Sequence, residues 1–278
     1  MSTINKLYNE FNLGASSPFN LIHITDVHLT ETLAEDEERL KELAEKRRGR
    51  YTFSGTVLAD IEKINRETDG LLLITGDMMD FNSLGNFKAI SEFTAKNNCL
   101  FIAGNHDFRT FGGMEYDVPQ VRESILPAVQ AIFKNDIRFF SKVINGINVV
   151  GIDNCYYRFE KWQFDRLKDE VGKGFPVILA LHVPFYTEET YNLVVRGKRK
   201  HASQVCVPED KMSEYPPERY IQQKGDAITR EVYEYVLNEK MIKLLICGHI
   251  HKDCEGALPT GVPQIVTDVN TARIITIR

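Results

Sequence analysis

The sequence predicts an α/β fold on parallel or mixed sheets, with one polar site at the strand ends. Two observations carry this. Five short apolar runs each stop on a residue that can ligate a metal or move a proton. Segments of helical periodicity lie between several of them, giving the strand–helix–strand alternation that builds such sheets. Apolar runs of this length bounded by Gly, Asp or Asn read as buried strands. In open α/β sheets, ligands sit just beyond the carboxyl ends of the strands.

In chain order, a polar lead-in precedes a strand at about 20–25 that delivers Asp26 and His28. Residues 31–50 are acidic first and basic later, with Leu33, Leu40 and Leu43 as a thin apolar stripe, so part of the segment reads as a solvated helix. Val57, Leu58, Ile61 and Ile64 fall at helical spacing over 54–67, with Ser54 as N-cap. A strand ending at Thr75 leads into Gly76-Asp77-Met78-Met79-Asp80, where the methionine pair suits packing. A helix at 86–96 and a strand at 99–103 follow, the strand running into Gly104-Asn105-His106-Asp107. Residues 120–133 read as helix. The runs 137–143 and 147–152, parted by Asn145-Gly146, read as a hairpin with a type I′ turn. A helix at 160–171 precedes the strand that ends at His182. Residues 184–224, with four prolines and the basic knot Arg196, Lys198, Arg199, Lys200 and His201, show no period and read as a long loop insertion serving as lid or specificity loop. A helix at 226–239 and a strand ending at Cys247 lead into Gly248-His249-Ile250-His251. Short strands at 254–258, 263–267 and 273–278 close the chain, and no repeat or linker divides it, so a single domain over residues 1–278 is expected.

The 43% hydrophobic and 26% charged fractions are those of a water-soluble globular protein. A net charge of −5 offers no broad basic surface for nucleic acid or an acidic membrane. The five cysteines form neither a disulfide framework nor a zinc pattern, which suits reduced thiols. Met1–Gly14 lacks the apolar stretch of a secretory signal, and no run approaches the roughly 18 residues that span a bilayer. The expected setting is cytoplasmic, without a membrane or nucleic-acid partner.

Asp26-x-His28 and His249-x-His251 each put two ligand-type side chains at i and i+2, which in extended chain lie on one side. With Asp77, Asn105 and His182, the inventory is two carboxylates, four imidazoles and one amide. Oxygen and nitrogen donors without thiolate suit Mn, Fe or Zn. Seven ligands exceed one tetrahedral ion and fit two divalent or mixed-valence ions sharing a carboxylate. Two aspartates leave such a pair a net positive centre that attracts an anion. Metals about 3.5–4 Å apart bind phosphate oxygens and acidify a bridging water, whose hydroxide attacks phosphorus in line. Phosphate-ester hydrolysis follows, with no need for a nucleophilic Ser or Cys.

The ordered blocks Asp26-x-His28, Gly76-Asp77, Gly104 to Asp107, His182 and Gly248 to His251 resemble the calcineurin-like metallophosphoesterase superfamily. The resemblance covers residues 20 to about 270 and implies a four-layer α-β-β-α sandwich of two mixed sheets. It implies one metal on Asp26, His28, Asp77 and His251, and another on Asp77, Asn105, His182 and His249. It also implies that His106 protonates the leaving oxygen and that Asp80 orients His106. Asp107 would cap backbone. The family's protein Ser/Thr phosphatases continue as Gly-Asp-x-x-Asp-Arg-Gly and Gly-Asn-His-Glu, whereas here Asp80 precedes Phe81-Asn82 and His106 precedes Asp107-Phe108. The chain looks closer to the branch with cyclic nucleotide and broad-specificity phosphodiesterases, so a small-molecule phosphodiester is expected ahead of a monoester. The alternatives on the same fold are a phosphomonoesterase, a nuclease and a non-catalytic scaffold like the retromer subunit that resembles these enzymes.

Asn154, Arg109 and Tyr186, each just past a strand end or ligand block, are candidate substrate contacts. Arg196–Lys200 could clamp a phosphate, although such knots are more often solvated. His23 sits mid-strand and reads as core packing, and His201 as a solvated loop residue.

Overall fold

The apolar runs pair into two sheets. In this computed structural model, which describes residues 4–48, 50, 56–110, 119–196 and 200–278, the first sheet holds β1 (Asn5–Phe11), β2 (Phe19–Ile24), β3 (Leu71–Ile74), β4 (Cys99–Phe101) and β11 (Thr271–Ile277). Its order is β1-β11-β2-β3-β4. The second sheet holds β5 (Phe139–Ile144), β6 (Ile147–Ile152), β7 (Val177–Leu181), β8 (Ile242–Cys247), β9 (Cys254–Ala257) and β10 (Pro263–Val266), in the order β5-β6-β7-β8-β10-β9. Both sheets are mixed: β2, β3 and β4 run parallel, as do β6, β7 and β8, while β11 runs antiparallel to β2 and β5 to β6. Asn145 and Gly146 both take positive φ, 48° and 83°, as the type I′ turn of the β5–β6 hairpin requires.

Strand alternation produces the layers. On β2, Leu21 faces the other sheet, whereas Ile22 and Ile24 join the apolar cluster under the helices. On β8, Leu244 and Ile246 face inward while Leu245 and Cys247 face outward. Outside the first sheet pack α2 (Val57–Thr68), α3 (Leu84–Lys96) and α4 (Pro119–Gln130); outside the second pack α5 (Lys161–Gly172) and α8 (Ala227–Asn238). The architecture is therefore the four-layer α-β-β-α sandwich. Each fully buried Leu or Ile contributes about 1.5–3 kcal/mol, so all three apolar interfaces are strongly held. His23 lies between the sheets, fully buried, and its ring nitrogens meet Thr267 Oγ1 and Thr75 Oγ1, both at 2.8 Å. Buried Arg273 beside it is bonded to Thr267, Asn9, Glu255 and Asp253.

Three elements depart from the sequence reading. β1 lies inside the polar lead-in; as a half-exposed edge strand beside β11 it carries no apolar run. Residues 184–224 form more than a loop: they contain α6 (Glu188–Arg196), a 3₁₀ turn at Glu209–Lys211 and α7 (Pro217–Lys224). A small core of Tyr186, Ala202, Val207 and Met212, flanked by Tyr191, Tyr215 and Tyr220, holds them together. Helices of eight or nine residues are too short to show a period. His201 is half-buried rather than solvated, with Nδ1 3.1 Å from Ser203 Oγ and from Gln223 Nε2. The expected N-cap Ser54 and the loop residues 197–199 lie outside the described residues. Among those described, no helix is long and apolar enough to cross a membrane.

Candidate metal centre

The ligand-type side chains follow β2, β3, β4, β7 and β8, at one end of both sheets. Extended alternation does not aim them, because the strands stop first, at Ile24 and Cys247. Asp26, His28, Asp77, His249 and His251 instead take left-handed backbone, with φ between 50° and 72°. For non-glycine residues this region is sparsely populated and clusters at functional sites. The glycines serve close approach. A Cβ on Gly104 would lie 2.2 Å from Asp77 Oδ1, and one on Gly248 would lie 2.0 Å from Thr25 Oγ1.

Two sets of atoms converge. In one, His251 Nε2 is 3.1 Å from both Asp26 Oδ1 and His28 Nε2, and His28 Nε2 is 3.7 Å from Asp26 Oδ1. Asp26, His28, Asp77 and His251 each present one ligand atom, all within 4.8 Å of one another. In the other set, His182 Nε2 lies 3.2 Å from His249 Nδ1, 3.3 Å from Asn105 Oδ1 and 3.5 Å from Asp77 Oδ2. Asp77 Oδ2 also lies 3.8 Å from His28 Nε2, so a single oxygen stands between the sets.

Supporting bonds fix these atoms. Asp77 Oδ1 accepts the His106 backbone N–H at 2.7 Å. Buried Asp107 accepts the backbone N–H groups of Asp77, Gly104 and Met79, locking the β3 and β4 loops together. His182 Nδ1 donates to the Thr75 carbonyl at 2.6 Å, which turns Nε2 toward the site. His249 Nε2 meets Tyr157 Oη at 2.7 Å. Asp80, fully buried, lies 2.9 Å from His106 Nδ1 and 3.2 Å from His28 Nδ1.

The electrostatics mark a centre short of positive charge. Burial opposes ionisation of Asp26, yet His251 and His28 hold its carboxyl well below the usual range. Asp77 is likewise held low against burial, chiefly by His182 and His106. Burial disfavours charge on His28, but Asp26 and Asp80 raise it to about 10; Asp77 raises His182 to about 9 against the same penalty. Burial and then His182 push His249 well below its ordinary value. Burial and the neighbouring Asp77 push Asp107 up to about 7. Among the described residues, Asp26 Oδ1 is buried and accepts no hydrogen bond of good geometry, although His251 Nε2 lies 3.1 Å away. Cations held by these oxygens and imidazoles would satisfy that orphaned atom and take over the charge that protons on His28 and His182 supply. The donor set thus fits hard to borderline metal ions.

The three candidate substrate contacts all make bonds within the protein. Both amide atoms of Asn154 bond the Val183 backbone, at 2.8 and 2.9 Å, so this side chain braces the strand end beside His182. Tyr186 is almost buried and its hydroxyl donates to Glu188. Arg109 closes the 3₁₀ turn that carries His106: its N–H donates to the His106 carbonyl at 3.0 Å and its own carbonyl accepts from Asn82. Arg47 and Tyr157 support the converging atoms, a part the sequence did not assign, whereas Asp107 caps backbone as the resemblance implied. Arg47 offered one signal, its place on the stripe of Leu40 and Leu43; Tyr157, three residues past Asn154, offered none.

A model of the calcineurin-like phosphoesterases matches residues 19–253. The chain belongs to that family. A purple acid phosphatase, PPD1, from yellow lupin (Lupinus luteus) seeds is similar in structure at 12% identity and TM-score 0.51, over 96% of this chain and 44% of that one. A dimetal phosphatase from Danio rerio matches at 12% identity and TM-score 0.49, over 93% of this chain and 91% of that one. A putative 5′-nucleotidase from Staphylococcus aureus matches at 14% identity and TM-score 0.47, over 91% and 49%. The chain spans less than half the length of the lupin and staphylococcal proteins. At such identity the lupin likeness speaks to the fold alone. No curated protein matches the chain. The family is one of hydrolases with binuclear divalent-metal centres, and the clustered Asp and His residues of this chain could hold such ions.

Proposed function

We propose that the chain hydrolyses small phosphate esters, diesters ahead of monoesters. The observation that carries this is Asp77 Oδ2, placed 3.8 Å from His28 Nε2 and 3.5 Å from His182 Nε2, between two sets of donors. Asp26, His28, Asp77 and His251 would hold one metal ion; Asp77, Asn105, His182 and His249 would hold the other. When bound, such a pair supplies Lewis acidity toward phosphate oxygens and acidifies water. His106 moves the proton. Its Nδ1 lies 2.9 Å from the Asp80 carboxylate, so Nε2 is the nitrogen that serves the leaving oxygen of the ester. With a side chain 15% exposed, His106 stands at the site's edge, where a substrate can reach it, while Asp80 behind it is fully buried. The preference for diesters rests on Phe81-Asn82 and Asp107-Phe108, which set the chain apart from the protein phosphatase pattern.

The test measures metal content and turnover of an aryl phosphodiester on the same manganese-loaded samples. Asp77→Ala should lose both, because both ions need that oxygen. His106→Ala should keep the metals and lose about 10²–10⁴ in kcat. Near-normal turnover by His106→Ala would refute the proton assignment.

A further inference from the structure

Helix α1 (Glu38–Arg47) leaves most of its surface in water, yet its last residue enters the catalytic cluster. Leu40, Leu43 and Ala44 pack on Phe81, the neighbour of Asp80. Arg47 follows at the same helical spacing, on the same face. Its approach is fixed from the other side by buried Asp36, whose carboxylate accepts from Leu84 N at 2.7 Å, Gly85 N at 3.1 Å and Leu33 N at 2.8 Å. That ties the segment before α1 to the start of α3.

Arg47 grips Asp80 with both prongs of its guanidinium. Nη2 donates to Oδ1 at 2.7 Å, and Nε donates to Oδ2. The imidazoles gather on Oδ1 as well: His28 Nδ1 lies 3.2 Å from it, and His106 Nδ1 lies 2.9 Å from it and 3.1 Å from the Asp80 backbone carbonyl. The carboxylate is therefore faced by four N–H groups, about its full acceptor capacity, with His106 Nδ1 shared between it and the Asp80 backbone carbonyl. Three crowd onto Oδ1, and Arg47 alone among these four holds Oδ2. Two parallel bonds from a rigid fork fix the plane of a carboxylate, which a single bond does not. The plane in turn aims Oδ1 at both imidazoles, whose rings meet edge to face with centroids 4.6 Å apart.

We infer that Arg47 is a positioning residue: through Asp80 it holds His106 with Nδ1–H inward and Nε2 toward the leaving oxygen. This rests on the phosphoesterase reading and adds to it a residue from outside the family's ligand blocks. Loss of the fork leaves Asp80 free to turn about its last torsion, and His106 then samples rotamers that cannot deliver a proton. The defect falls first on proton transfer, and metal content shows separately whether His28, which shares Oδ1, is disturbed. An alkyl ester, whose P–O bond breaks to a strongly basic alkoxide, needs the proton from His106; a dinitrophenyl ester, whose phenolate leaves unaided, does not.

The test compares Arg47→Met and Arg47→Lys with the unsubstituted protein, and with Arg48→Met, whose exposed side chain pairs only with Glu45 among the described residues. Each is loaded with zinc and assayed on an alkyl and a dinitrophenyl phosphodiester. The Arg47→Met protein should lose about 10²-fold in kcat on the alkyl ester. It should lose less than about threefold on the aryl ester, with unchanged KM and two bound metals. Arg47→Lys should not restore the alkyl activity, because an ammonium is a point charge without the fork. In long-range ¹H–¹⁵N spectra the single His106 Nδ1–H tautomer should give way to a mixture in Arg47→Met and persist in Arg48→Met. Equal losses on both esters, or an unchanged His106 signature, would overturn the inference while leaving the hydrolase reading intact. Failure of the unsubstituted, metal-loaded protein on every ester would instead overturn the reading beneath it.

Discussion

Gly104→Ala places one methyl group where the two metal sets meet. The added carbon would lie 2.2 Å from Asp77 Oδ1, 2.5 Å from Asp77 N and 2.8 Å from His182 Cε1, against an ordinary contact of 3.4 Å or more. Some atom must retreat by about 1 Å to restore van der Waals separation. The backbone has little freedom to do so: Gly104 N and Asp77 N both donate to Asp107 Oδ2, at 2.8 Å. The displacement therefore passes to the Asp77 carboxylate and the His182 ring. Metal–ligand distances tolerate about ±0.2 Å, so a shift of this size would take the Asp77 carboxylate out of reach of at least one of the two ions proposed there. Metal affinity should fall at least about tenfold and kcat about 10²-fold. Overpacking should cost about 1–3 kcal/mol of stability. Isothermal titration with Mn²⁺ or Zn²⁺, on samples shown to be folded by circular dichroism, measures the first effect directly. Gly172→Ala is the matched control, because a Cβ there meets nothing within 4 Å. A folded Gly104→Ala protein that binds two equivalents with unaltered affinity would refute the claim that Asp77 is shared.

Two further outcomes follow from groups around the centre. Burial, and secondarily Arg273, hold His23 at about 3 rather than its ordinary 6.5. Between those values the unfolded chain binds the extra proton, so stability rises with pH across that window and is lost as pH falls toward 3. At full extent the loss is on the order of 5 kcal/mol. Urea midpoints of the chelator-treated protein between pH 4 and 7 should show a shallower slope for His23→Gln than for the unsubstituted chain; equal slopes would refute this origin. Tyr157→Phe removes the hydroxyl 2.7 Å from His249 Nε2, and one of the two metal equivalents should weaken about 10–100-fold with the other unaffected. Loss of both together, or of neither, would show that Tyr157 does not orient His249.

Much of the architecture was legible because buried strands need continuous apolar runs. Leu71–Thr75, Val177–Leu181 and Leu244–Cys247 could hardly be anything else, and each points its terminus at the polar block that follows. The pairs Asp26-x-His28 and His249-x-His251 were also legible as pairs, although their convergence has another cause than alternation. Left-handed turns after the strands aim them, and such turns leave no period in the sequence. β1 escaped for a related reason: an edge strand with one face in water carries little apolar signal.

The chain by itself thus determined which residue types could form a centre, and in what order, since hydrophobic runs and chemical identity are local properties. Tertiary structure decided the rest. It set Asp77 Oδ2 between His28 and His182 and brought Arg47 onto Asp80 and Tyr157 onto His249. It also bonded the amide of Asn154 to the Val183 backbone. Those pairings join positions 29 to 105 residues apart, and what fixes them is how two sheets and their helices pack, a property no segment holds alone.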